Sequence, residues 1–118
     1  MITALKIEPG KNPCPCRICD DGEYLDHCVS VGSNLAFTAA ALKLEDNIAA
    51  VYCQNGYMFS LPGNRRVADK IICGVFYIVR VKNGKLESLT DRDVVKYTLE
   101  YWSVEHFAED EIIDSWMQ

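Results

Sequence analysis

NGYMFSLPGNRRVADKIICGVFYIVR, residues 55–80, runs a turn, a loop and a buried strand together, and that succession sets the fold class. Asn55-Gly56 is the strongest local signal in the chain. A two-residue type I′ turn needs positive φ at both positions, and Asn-Gly tolerates this best. The turn is expected to join a strand over 48–53 to another over 57–61. Residues 62–69, with Pro62, Gly63 and Asn64, read as an irregular loop. Residues 71–81 are β-branched and aromatic and apolar on both faces, so they predict a central strand. Gly74 inside that run marks a bulge or a close backbone approach. Asn83-Gly84 then turns the chain again.

Outward from this stretch the periodicity switches between strand and helix. Residues 2–8 alternate, with Leu5 and Ile7 against Thr3 and Lys6, and stop at Pro9-Gly10; a second extended piece follows at 15–18. Asp20-Asp21-Gly22 offers an N-cap, after which Tyr24, Leu25, Cys28 and Val29 recur with the spacing of one helix face as far as Gly32. Residues 35–42 and 48–53 read as strands, the first weakened by the alanines at 39–41. Thr90 is placed as the N-cap of a helix with acids in its first turn, where the helix dipole favours them. Its apolar face is expected to be Val94, Val95, Thr98, Leu99 and Trp102. A weaker repeat closes the chain, Ile112, Ile113, Trp116 and Met117 against Glu109, Asp110, Glu111 and Asp114. It reads as a docked helix or as a partner-binding one, including a possible homodimer contact. The expectation is a single α+β domain over 1–118. It has an antiparallel or mixed sheet of about five strands, two helices on one face, and an extra C-terminal acidic amphipathic helix.

Composition narrows the class. The 118 residues are 49% apolar and 25% charged, which is globular and large enough to bury a core without covalent staples. The longest apolar run, 71–79, is nine residues, far short of the ~20 that span a bilayer as a helix. The opening residues lack a basic segment followed by an apolar one, so no secretory signal is read, and a cytoplasmic protein with mostly reduced cysteines is expected. The net charge of −5 is uneven: residues 91–118 hold eight acids and two bases, whereas six bases and one acid lie from Arg65 to Lys85. That basic run could attract an anion, a phosphate or the acidic tail of another copy, although such runs more often only solvate a surface.

Several short motifs agree in order with one family. They are Ile7-Glu8-Pro9-Gly10-Lys11, Val31-Gly32, Cys53-Gln54-Asn55-Gly56, Leu61-Pro62-Gly63-Asn64-Arg65, the run at 71–79, and Ser88-Leu89-Thr90-Asp91. Over residues 1–102 the chain resembles the phage and mobile-element family catalogued as domain of unknown function 3846. The resemblance implies a small α+β domain without an assigned activity, and so no active-site residues to carry over. Two places depart from the family pattern: Cys14-Pro15-Cys16-Arg17-Ile18-Cys19, and the acidic extension at 103–118.

Candidate chemistry falls into three groups. Cys16-x-x-Cys19 has the spacing for two thiolates on one tetrahedral zinc, with Cys14 as a third ligand and Cys28 or His27 as the fourth. Against zinc, no second Cys-x-x-Cys exists, and Cys14, Cys16 and Ile18 would share one strand face where cysteine acts as a small hydrophobe. Nucleophilic catalysis is not expected. Cys53 and Cys73 lie in apolar strands that raise a thiol pKa, and neither His27 nor His106, both placed on helices, is set beside a nucleophile. The loop at 61–66 is the expected ligand site: Gly63 lets backbone amides face an anion, Asn64 supplies an amide, and Arg65 and Arg66 can fork onto carboxylate or phosphate. The competing reading is ordinary turn chemistry. Tyr57, Phe59 and Tyr77 could stack on a base, but strand aromatics more often pack a core, so nucleic acid is not the expected partner. The functional expectation is a non-enzymatic accessory protein, needing no cofactor, that binds a host protein or a small anionic, nucleotide-like ligand. A zinc-supported binding module is the alternative.

Overall fold

The computed structural model describes residues 1–20, 39–58 and 60–117. The helix expected from Tyr24 to Gly32, with His27 and Cys28, lies outside the described residues. The elements are β1 (Ile2–Ile7), β2 (Cys14–Ile18), β3 (Ala39–Glu45), β4 (Ile48–Cys53), β5 (Gly63–Val67), β6 (Lys70–Cys73), β7 (Phe76–Lys82), β8 (Lys85–Glu87), α1 (Asp91–Glu100) and α2 (Glu109–Trp116). The fold is α+β. A six-stranded sheet runs β2-β1-β7-β4-β3 with β8 also paired to β7, and β5-β6 form a separate two-stranded sheet. Among the described residues every strand pairing is antiparallel.

β7 is central because it is apolar on both faces. Phe76 and Ile78 join Leu5, Ile7, Ile48, Ala50 and Tyr52 on one side, whereas Tyr77 and Val79 join Ala4, Ile18 and Val51 on the other. The alternation follows from the period of two along a strand. Both helices pack against the first of these faces, α1 through Val94, Tyr97 and Tyr101, and α2 through Trp116. No helix among the described residues is long and apolar enough to cross a membrane.

The two Asn-Gly pairs behave differently. Asn83 and Gly84 both take positive φ, 53° and 76°, and close the β7–β8 hairpin as a type I′ turn requires. Asn55 and Gly56 do not take positive φ. In place of the strand expected over 57–61, Tyr57, Met58 and Ser60 lie in turns: Met58 N–H donates to Asn55 O and Leu61 N–H to Gly56 O. The chain folds back on itself there instead: Gly56 N–H donates to Cys53 O, and β4 keeps β3 and β7 as its two partners. Glycine is needed at position 56 for space, since a Cβ there would sit 2.9 Å from Cys73 O.

The run expected as one strand over 71–81 is split at Gly74. Its φ of +81° turns the chain out of the β5–β6 sheet and into β7. The peptide there is held on both sides, by Gly74 N–H donating to Pro62 O at 2.8 Å and by Asn64 Nδ2 donating to Gly74 O at 2.9 Å. A Cβ would also meet Leu61 Cδ1 at 3.0 Å. Gly74→Ala is therefore expected to destabilise by about 2 kcal/mol and to lower Tm by roughly 8 °C in a thermal melt.

Thr90 caps α1 as expected: its Oγ1 accepts from Asp93 N–H, and Asp93 Oδ2 accepts from Thr90 N–H. The face of α1 is the expected one only in part, since Val94 packs on the core and Thr98 is half-buried. Asp93 and Tyr97 are buried, while Val95, Leu99 and Trp102 are 58, 72 and 52% exposed. Asp93 goes inward because it closes the capping box and meets Arg80 Nη1 at 3.1 Å, and the tyrosines bury their rings in place of the aliphatic residues. On α2 likewise, Ser115 is buried and Ile113 exposed.

Candidate functional site

The residues expected to form an anion loop are strand β5, not loop. The β5–β6 register slips between Gly63 and Arg65, so Asn64 is the extra residue of a bulge and two successive side chains can turn inward. Asn64 and Arg65 are both 0% exposed. Asn64 Nδ2 donates to Ile7 O and Gly74 O, and its Oδ1 accepts from Arg65 Nη1 at 2.8 Å. Arg65 Nε donates to Tyr101 O at 3.0 Å and Nη2 to Lys11 O at 2.6 Å.

Tyr101 is the C-cap of α1, and α1 has no basic residue in its last turn. The Arg65 guanidinium supplies positive charge at the negative end of that helix dipole. Burial lowers the Arg65 pKa, and Glu105 opposes the shift. Arg66 faces outward, with its guanidinium carbon 5.9 Å from the Phe107 ring centroid, and its N–H donates to Glu105 Oε2. Gly63 lies beneath Ile112 and Phe107, where a Cβ would meet side-chain carbons at 3.1 and 3.2 Å. The four residues Gly63, Asn64, Arg65 and Arg66 thus do not converge on one surface.

A cleft of about 240 Å³ opens beside them, between the turn at 57–62 and α2. Its apolar walls include Tyr57, Leu61, Phe107 and Ile112, and Ser60 and Glu109 add a hydroxyl and a carboxylate. Local geometry builds it. Ser60 takes φ of 60°, and Leu61 folds back over the bare backbone of Gly56 and Gly74. On the other side α2 is fastened to β6: Ile71 N–H donates to Ser115 Oγ at 3.1 Å, Trp116 Nε1–H donates to Ile71 O at 2.8 Å, and Lys70 Nζ donates to Ser115 O at 2.9 Å. Trp116 stacks on Tyr57 with centroids 5.0 Å apart and planes 4° from parallel. The C-terminal segment is thus a helix docked on β6, as the first of its two readings expected. Glu109, in the first turn of α2 with Asp110 and Glu111, brings a carboxylate to the α2 side of the cleft.

The cysteines separate into two sets. On β2, Cys14 is exposed and Cys16 half-buried, with Cys19 just beyond the strand; Cys16 packs with Ile18 against the second core face. Among the described residues no group of three or more His, Cys, Asp or Glu is placed to hold a metal ion. Cys28 lies outside those residues. Cys53 and Cys73 are buried, and burial, followed by the Cys53 neighbour, pushes the Cys73 thiol up to about 11. His106 sits in the connection between the helices, not on a helix as expected.

A second hollow, about 400 Å³, lies at the N-terminus of α1 among Glu45, Asp46, Arg80, Arg92, Asp93 and Lys96. Arg80 is paired to Asp93 at 3.1 Å and Lys96 to Glu45 at 2.9 Å. Tyr97 also hydrogen-bonds Glu45; burial and then that carboxylate raise the tyrosine pKa, while Lys96 and then Tyr97 lower that of Glu45. Three acids balance three bases here, so the hollow offers no net charge to an anion. Family models, curated proteins and solved structures, each compared with this chain, give no match.

Sequence patterning could not point to the cleft. Its walls come from residues some 50 positions apart, Tyr57 and Leu61 against Phe107 and Ile112. The one available sign was the acidic, apolar repeat of the C-terminal helix.

Proposed function

We propose that this is a non-enzymatic, cytoplasmic accessory protein of the phage and mobile-element type, acting by binding an apolar, cationic segment of a host protein in the cleft between the 57–62 turn and α2. The family part of this reading rests on the motifs quoted above. The single observation that carries the binding part is the character of the cleft, with Tyr57, Leu61, Phe107 and Ile112 as apolar walls and Glu109 at the edge. Concave apolar sites with a few placed polar groups are where ligands bind. Charge guides the choice of ligand: Glu109 is the carboxylate in the cleft lining and the Arg65 guanidinium is turned inward, so a lysine or arginine suits the Glu109 edge, while Arg66 stands over Phe107 on the opposite side. Catalysis has little support, since burial holds the Cys73 thiol near 11 and the Tyr101 phenol near 12 in their protonated, unreactive forms.

Trp116, stacked on the cleft residue Tyr57, reports on occupancy, and Trp102→Phe removes the only other tryptophan. A leucine- and lysine-rich peptide titrated into that variant is expected to shift Trp116 emission, and Glu109→Lys is expected to weaken the peptide about tenfold, as loss of a rim charge pair and creation of a repulsion would. ATP is the counter-probe. Emission that responds to ATP and not to the peptide, or peptide affinity unchanged by Glu109→Lys, would overturn the proposal.

A further inference from the structure

The cleft beside α2 is sized for one side chain. At about 240 Å³ it falls below the ~300–1,000 Å³ of sites that enclose a whole small molecule, yet exceeds the ~150 Å³ hollow that takes a benzene ring. A bound segment therefore seats one residue in it and keeps the rest of its length outside. The walls specify that residue. Leu61 and Ile112 are aliphatic, Tyr57 and Phe107 aromatic, and Ser60 and Glu109 carry oxygen. A leucine would use the first four and leave the carboxylate without a partner from the ligand.

Glu109 makes the choice. In the same first turn Glu111 Oε1 accepts from Ala108 N–H, and Asp110 Oδ1 accepts from Glu111 N–H. Both of those acids are used by the backbone at the start of α2. Among the described residues the Glu109 carboxylate has no hydrogen bond and no ion pair. The aromatic walls suit a planar cation. Phe107 already lies under one guanidinium, that of Arg66, and Tyr57 is held in place by the Trp116 ring stacked against it.

Resting on the reading of the cleft as a peptide site, we infer that the residue seated there is an arginine of the bound segment. Its methylene stem lies along Leu61 and Ile112, its guanidinium plane stacks on Tyr57, and two of its N–H groups donate side by side to the Glu109 carboxylate. Lysine brings the charge without the planar fork, so it can neither stack nor pair in this way. The like charge of Arg66 is a small obstacle, because that side chain is exposed and water and salt screen it.

Calorimetric titration of the full chain with three peptides tests this. They share a leucine-rich sequence and differ at one central position, which is arginine, lysine or citrulline, the last keeping the shape of arginine without its charge. The arginine peptide is expected to bind about fivefold more tightly than the lysine peptide and about tenfold more tightly than the citrulline one, factors kept modest by the exposure of Glu109. In Glu109→Gln the advantage over lysine is expected to disappear, with an unchanged thermal melt because this carboxylate holds nothing in the fold. Arginine and lysine peptides of equal affinity, both tighter than citrulline, would overturn the arginine anchor and leave a site for cationic segments standing. A citrulline peptide as tight as the arginine one, or an arginine advantage that survives Glu109→Gln, would overturn the pairing with Glu109 and the inference with it. Failure of all three peptides to bind would overturn the reading of the cleft itself.

Discussion

Arg65→Met is expected to lower Tm by roughly 12–16 °C, the equivalent of about 3–4 kcal/mol in a domain of this size. Methionine fills much of the same space, so the loss is one of donors and not of volume. Arg65 donates to Tyr101 O, Lys11 O, and both Asn64 O and Asn64 Oδ1. Without it, three segments distant in sequence lose a common donor: the end of α1, the β1–β2 connection and the β5 bulge. Buried acceptors stranded in this way each cost ~1–3 kcal/mol, and only part is recovered by no longer burying a cation. Asn64 cannot compensate, because its Nδ2 is already committed to Ile7 O and Gly74 O. Arg65→Lys should recover less than half, since an ammonium cannot reproduce the planar fork that reaches Lys11 O and Tyr101 O together. Thermal and urea melts of the two variants distinguish this role from ligand binding. A ligand-holding arginine could be removed with Tm unchanged, and that result would refute the clamp.

The sheet was legible in the sequence wherever the signal was local. The alternation at 2–8 is β1, the both-faced apolar run contains β7, and Thr90 with Asp93 caps α1 as their spacing implies. What patterning could not see was the tertiary surroundings of each turn. Asn83-Gly84 forms its type I′ turn because Arg80–Lys82 run on past the β1 pairing and take β8 beside them, whereas Asn55-Gly56, the same two residues, closes onto Cys53 O and packs against Cys73 O in a tight turn. Helix faces were misread for a related reason. Apolarity favoured Val95 and Leu99 over Tyr97 and Tyr101, yet Phe76 meets Tyr101 edge-on at 5.9 Å and Arg80 draws Asp93 inward. Arg65 and Asn64 looked like surface chemistry because arginine and asparagine usually are; a one-residue slip in register buries both. The cleft beside them depends on α2 docking, a tertiary event that an amphipathic pattern permits without locating.

Trp116→Ala is expected to release α2 from β6. The ring lies 5.0 Å from Tyr57 and 5.7 Å from Tyr52, carries Lys70 Nζ 5.5 Å from its centroid, and donates Nε1–H to Ile71 O. Truncating a tryptophan so enclosed costs about 3–5 kcal/mol where the surroundings cannot collapse. An eight-residue helix has almost no stability of its own, so once undocked it should also unwind. The damage is then local, capped at the docking free energy of α2, and the six-stranded sheet should melt near its usual temperature. Amide exchange separates the two outcomes, because the Ile71 N–H is protected by Ser115 Oγ from α2 whereas the Ile78 amide lies in the sheet core. Trp116→Ala is expected to speed exchange at Ile71 by about a hundredfold, corresponding to roughly 3 kcal/mol of lost local protection, with exchange at Ile78 little changed. Ser115→Ala, which removes the acceptor and leaves the stack, should move Ile71 by about tenfold or less. Because Ile112 leaves with α2, the same Trp116→Ala protein should lose one wall of the cleft and with it the leucine- and lysine-rich peptide. Peptide binding retained at full strength on an exchange-confirmed, undocked α2 would place the binding surface elsewhere on the fold.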